Sequence, residues 1–252
     1  MASPKIRLSW RLGLSLALIG GSVVLYAADY LVFGRPREIA MGLMDNIAFL
    51  CIYILVVVLV VEDVLARREK KALLKKMNMV IGAFFSALGR DLLAKFPLFV
   101  ENTAELAPRL AFTDRWEKAE FREAMETARA FPYRVRVAPA ALRDLRTCLL
   151  DNRGFLLGLL ENPNLLEHER FTDLLWAVFH LVEELEMRPD SLEGLPAADY
   201  AHLAGDVKRA YSLIASEWLA YALHLKDSYP FLFSLAVRIN PFGASPSPVI
   251  QD

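Results

Sequence analysis

Cysteine is scarce in this chain: its 252 residues contain only Cys51 and Cys148, and neither belongs to a CxxC pair. A disulfide framework and a cysteine-built zinc ribbon are thereby excluded. The glycine-rich signatures of phosphate and dinucleotide loops, GxxxxGK(S/T) and GxGxxG, do not occur, nor do GxSxG or HExxH. Their absence removes the common nucleotide-binding, hydrolase and metalloprotease chemistries. Runs with the two-residue alternation of strands are nearly missing, PYRVRVAP (132–139) being the exception, which argues against an α/β enzyme scaffold. A surplus of basic charge is missing too. Lys and Arg number 29 against 30 Asp and Glu, and residues 77–252 carry 18 basic against 24 acidic side chains, so no nucleic-acid partner is expected.

What is abundant is apolar sequence, concentrated near the N-terminus. Leu12 to Phe33 is a run of 22 residues with Asp29 as its only charge. It exceeds the roughly 7–15 residues of a signal-peptide core, and about 20 helical residues cross the ~30 Å hydrocarbon layer. A retained transmembrane helix is expected, with Gly13, Ala17 and Gly21 on one face for close packing against a second helix or another subunit. A connection containing Gly34 and Pro36 leads into a second span, about 44–61, built on IAFLCIYILVVVLVV. The two spans read as a tight hairpin. Lys5, Arg7 and Arg11 precede it, and Arg67, Arg68, Lys70, Lys71, Lys75 and Lys76 follow it, against Arg35 and Arg37 in the connection. The positive-inside rule places both termini in the cytoplasm, at the inner membrane. Those six later side chains are the expected membrane-surface residues, each attracted to anionic lipid headgroups by on the order of 1 kcal/mol.

From about residue 65 the pattern becomes that of a cytosolic all-α bundle. No charge occurs from Met77 to Gly89, and Leu73, Met77, Ile81, Phe84, Leu88, Leu92 and Phe96 recur every three or four positions. That spacing predicts a buried central helix, too short in its uncharged part to span a bilayer. Thr113 reads as the N-cap of a helix to Ala130, PYRVRVAP as an extended linker, and Pro139 as the first residue of a helix to Leu160. Further helices are expected over Leu165–Met187, over a regular stretch from Ala197 through Leu225, and after Pro230. The division expected is therefore a basic segment 1–11, a hairpin 12–64, a bundle 65–242 and a disordered Pro/Ser-rich tail 243–252.

Chemistry-bearing residues gather in one region. His180, Glu183 and Glu184 lie at i, i+3 and i+4 on one predicted helix, while Asp199 and His202, with Asp206 a turn beyond, open the next. Helical bundles build metal sites from such carboxylate and imidazole pairs on facing helices, which makes His180, Glu184, Asp199 and His202 candidate ligands. The Glu-x-x-His signature of ferritin-like sites is absent, and no catalytic residue or cofactor is assigned. Between Glu161 and Glu193 there are nine acids and two arginines. Glu183, Glu184 and Glu186 on that surface are the expected docking residues for a basic protein partner. The whole chain then reads as a membrane-anchored helical interaction module, an adaptor, sensor or assembly factor that acts on a protein partner or as a homo-oligomer. Its rivals are an oligomeric two-span channel or membrane-perturbing effector, and a metal-dependent enzyme using the His180/His202 region.

Overall fold

The structure is a computed structural model that describes residues 5–163, 165 and 168–249. Among them it is all-helical, without a strand beyond one isolated bridge, and it divides into two compact units between Glu69 and Lys70.

In the N-terminal unit, α1 (Lys5–Phe33) ends at Gly34, whose φ of +63° suits glycine and whose N–H donates to the Tyr30 carbonyl at 3.0 Å. The next helix starts at once, with Pro36 supplying the fixed φ of a first helical turn. The connection is thus only Gly34 and Arg35, far shorter than the gap between Phe33 and the second span expected from about residue 44. This helix, α2 (Pro36–Phe84), carries the apolar run, the basic segment and the first core positions of the bundle in one element. Among the described residues, Pro36–Glu69 is the one stretch long and apolar enough to cross a membrane, while the apolar part of α1, Ala17–Val32, is shorter. A side chain added at Gly13, Gly20 or Gly21 would meet nothing within 4 Å, so this small-residue face is not packed against α2. Arg67 pairs with Asp63 at 2.9 Å, and the side chains of Lys70, Lys71 and Lys75 lie outside the described residues.

The C-terminal unit is organised around α9 (Ala197–Ser228), with α5 (Lys118–Ala130), α8 (Glu169–Glu186) and α10 (Pro230–Arg238) against it. Leu203, Val207, Ala210, Ile214 and Trp218 of α9 are buried, as are Phe171, Leu174, Val178, Leu181 and Leu185 of α8. The end of α2 contributes Met77, Ile81 and Phe84 to the same core. A single π-turn, Phe85–Gly89, then precedes α3 (Arg90–Lys95). The wider turn lets the adjacent Phe84 and Phe85 both enter the core while Leu88 and Leu92 stay in register. Gly89 is required there, because a Cβ on it would sit 2.6 Å from Phe85 Cδ1 and 2.9 Å from Phe84 Cε1.

Other expectations are corrected by pairing that sequence does not reveal. The stretch after Pro97 holds α4 (Thr103–Leu110). PYRVRVAP is not a free linker: Val135 bridges Val100 antiparallel, with Glu101 N–H donating to the Arg134 carbonyl at 2.9 Å and Arg136 N–H to the Phe99 carbonyl at 2.8 Å. Thr113 does not cap a helix. α5 starts at Lys118 behind a capping box of Glu117 and Glu120, and Thr113 Oγ1 closes a local turn with Arg115 N–H. Asn152 divides the expected helix from Pro139 into α6 (Pro139–Asp151) and α7 (Arg153–Leu160). The tail is not disordered where it is described, since Ser247 N–H donates to the Arg238 carbonyl and Arg238 Nη1 to the Pro248 carbonyl. Residues 250–252 lie outside the described residues.

Replacing Phe84 by Ala is expected to cost roughly 3–5 kcal/mol, and Gly89→Ala about 1–3 kcal/mol through crowding of the two rings. Leu98→Ala, at an exposed position, should change little. Unfolding of the full chain by denaturant measures all three, and equal midpoints for Phe84→Ala and Leu98→Ala would refute the assigned core.

Candidate functional site

The four histidines divide into two structural and two clustered residues. His168 caps α8, its Nδ1 accepting the Phe171 N–H at 3.3 Å. His224 meets Asn78 Nδ2 at 3.2 Å, which gives the polar group on the core helix its partner, and burial holds the imidazole below its ordinary pKa. Asn78 and His224 line a cavity of about 350 Å³ together with Gly82, Tyr221, Tyr229 and Leu232.

His180 and His202 converge. α8 packs along α9, so the residues that sit a turn apart on each helix form facing ridges. His202 Nε2 lies 3.3 Å from Asp206 Oδ2 and 3.4 Å from Glu184 Oε2. His180 Nε2 lies 3.7 Å from Asp206 Oδ2 and 3.7 Å from Glu184 Oε1. The imidazoles open to solvent, with side chains 42% and 53% exposed for His180 and His202, whereas Asp206 is only 3% exposed. Arg209 Nη1 engages the other oxygen of Asp206, Oδ1, at 3.2 Å.

Arg188, just beyond the end of α8, fixes the rim. Its guanidinium forks onto Asp199 at 2.9 and 2.7 Å and reaches Glu184 Oε2 at 2.5 Å, and the Glu184 carbonyl as well. These hydrogen bonds hold the carboxyls of Glu184 and Asp199 below their usual range and push Arg188 up. Of the four candidate ligands, then, His180, His202 and Glu184 come together. Asp199 is committed to Arg188, and its place beside the imidazoles is taken by Asp206. Sequence spacing put Asp206 one turn after His202, but its burial depends on α8 lying across it. A second buried acid escaped notice for the same reason: Glu217 sits inside α9's packed surface and pairs with Arg170 at 3.2 Å.

The acidic surface is neutralised more than the linear charge count suggests. Glu186 pairs with Arg153 at 3.0 Å, Glu193 with Arg143 at 2.6 Å and Asp190 with Arg146 at 2.9 Å. Of the three docking candidates, Glu184 and Glu186 are thus engaged within the chain, and Glu183 is half-buried. Cys148 is half-buried as well, and burial pushes its thiol up, which disfavours the reactive thiolate.

Comparison with known proteins places both units. A family model described as the C-terminal helical domain of the uncharacterized protein MJ1433 matches residues 73–238. A second, described as the MJ1433 N-terminal helical domain, matches residues 5–65. The curated protein of that name from Methanocaldococcus jannaschii is 40% identical over 230 residues, covering 91% of this chain and 92% of its own length. No solved structure matches.

The Arg188 clamp has a pH signature. A carboxyl whose folded pKa is depressed contributes stability that is present above its unfolded value, about 4, and is lost as pH falls through the folded value. Arg188→Met is therefore expected to destabilise the bundle at pH 7 by on the order of 1–2 kcal/mol, allowing for partial exposure. The gap to wild type should close as the pH is lowered below about 4. Thermal unfolding across that range reads both effects, and a gap independent of pH would sink the assignment.

Proposed function

The chain belongs to the MJ1433 family, and from that premise we propose that it is a membrane-anchored helical module. Its N-terminal part holds it in the bilayer as a two-helix hairpin, and its bundle works at the cytoplasmic face by holding, sensing or assembling a protein partner. One observation carries this reading. In the N-terminal unit every described large apolar side chain from Ile47 to Val61 is exposed, and no other part of the unit covers them. A water-facing surface does not tolerate so continuous an apolar stretch. Lipid accepts it, because a helix satisfies its backbone polar groups internally. The basic side chains beyond each outer end of the hairpin support cytoplasmic termini. The uncovered face of Gly13 and Gly21 supports association with a second copy in the bilayer.

A second reading, a metal-dependent activity of the bundle, is favoured by the convergence of His180, His202 and Asp206 from two helices.

Topology is the test. In a chain with Cys51→Ala and Cys148→Ala, an impermeant thiol reagent added outside intact cells should modify Glu38→Cys and spare Lys208→Cys. Both positions become reactive once the membrane is opened. Labelling of Lys208→Cys in intact cells rejects the orientation, and recovery of the chain in the soluble fraction rejects the anchor.

A further inference from the structure

The site on α8 and α9 holds an unused ligand atom. Asp206 is almost fully buried, and its two carboxylate oxygens are treated differently: Arg209 lies 3.2 Å from Oδ1, while Oδ2 accepts no hydrogen bond among the described residues. A buried carboxylate oxygen left without a donor is costly, and buried charges are normally paired or bound to metal. Oδ2 points between two imidazole Nε2 atoms at 3.3 and 3.7 Å, and the three atoms all lie within 4.8 Å of one another.

We infer that His180 Nε2, His202 Nε2 and Asp206 Oδ2 form a binding site for a first-row divalent transition ion of the Zn²⁺ type. The two edges that meet at Asp206 Oδ2 suit the ion. Bonds of about 2.0–2.1 Å to nitrogen and oxygen in a tetrahedron put neighbouring ligand atoms roughly 3.3–3.4 Å apart. The His202–Asp206 edge already has that length, and the His180–Asp206 edge needs to close by a few tenths of an ångström. The donor set selects the class: two imidazoles favour zinc, copper, iron or nickel, whereas calcium and magnesium take oxygen ligands. Charge agrees, since three carboxylates (Glu184, Asp199, Asp206) stand against two guanidiniums (Arg188, Arg209) and leave one negative charge for the ion.

The supporting residues have the form that metal sites need. Arg209 orients the Asp206 carboxylate so that the opposite oxygen faces the imidazoles. Arg188 anchors Glu184 beside both imidazole nitrogens, at 3.4 and 3.7 Å. Three protein ligands leave the fourth position open. The exposed edges of both imidazoles put that position in contact with solvent, so a water molecule completes the ion, with Glu184 alongside as its acceptor. This is the open arrangement of reactive sites, unlike the four protein ligands of structural zinc. The inference deepens the second reading above and does not depend on membrane attachment, so its failure leaves the topology result standing.

The test uses the full chain in detergent, stripped with chelator and titrated with Co²⁺ and then Zn²⁺. The expected result is one ion per chain, a visible cobalt spectrum of low coordination number that zinc abolishes, and a raised unfolding temperature with zinc. Asp206→Asn and His202→Gln should each weaken Co²⁺ binding by at least about 100-fold, and Arg209→Gln by about 10–100-fold as a supporting residue. His224→Gln and Cys148→Ser should bind as wild type. His202 is exposed, so His202→Gln keeps its helical circular dichroism, and that variant remains decisive if Asp206→Asn fails to fold. Absence of stoichiometric binding to wild type, or wild-type binding by His202→Gln, overturns the site.

Discussion

The packing of α8 along α9 is the constraint on which the bundle depends. α9 spans 32 residues and buries side chains along most of its length, and several shorter helices share in enclosing it. α8 buries nine residues among α9, α6 and α7, α5 covers another side of α9, and the end of α2 with its π-turn adds Met77, Ile81, Phe84 and Phe85 to the same core. Each fully buried Leu, Ile or Phe contributes about 1.5–3 kcal/mol relative to exposure. Moving α8 by one turn would forfeit many such contributions at once, so the relation of the two helices is rigidly determined. The ridge of His180 and Glu184 is held opposite His202 and Asp206 by that packing, not by any attraction among the four polar groups.

The same packing explains why polar groups are stranded inside. Asp206 and Glu217 directly precede the buried apolar residues Val207 and Trp218 and are drawn in with them. Each keeps one carboxylate oxygen that accepts no hydrogen bond among the described residues: Glu217 Oε2 lies 3.2 Å from the Arg170 guanidinium, and Asp206 Oδ2 lies beside the two imidazoles while Arg209 engages Oδ1. Burying a charge is expensive unless it is compensated. The neighbour of that oxygen separates the two acids: a permanently charged guanidinium compensates Glu217, whereas two imidazole nitrogens face Asp206.

The N-terminal unit presents the opposite condition. Its described apolar side chains are exposed along helices that the rest of that unit does not cover, while those of the bundle core are enclosed. Two sets of apolar side chains of similar composition thus differ in burial, and only one of them is enclosed by its own unit. The basic segment from Arg67 to Lys76 stands where the change occurs in sequence; one family match ends at residue 65, just before it, and the other starts at residue 73, within it.

By itself the sequence determined the helical class, the apolar face of the central helix, and the inward positions of α8 and α9. All of these are periodicities within one element: side chains three or four apart share a face whatever lies opposite. Proline at the start of α6 and of α10 was legible for the same local reason. Tertiary structure alone decided the rest. Val100 found Val135 across 35 positions, Glu117 displaced Thr113 as the cap of α5, and Arg143, Arg146 and Arg153 neutralised an acidic segment that is unbalanced only when counted along the chain. The choice of Asp206 over Asp199 was of this kind too. Both lie within four residues of His202, and nothing local distinguishes them. Asp199 is within reach of Arg188 beyond the end of α8, and Asp206 lies two turns further along α9, where it is buried. Burial and partnership are properties of a pair of helices, and a one-dimensional pattern records each helix without its neighbour.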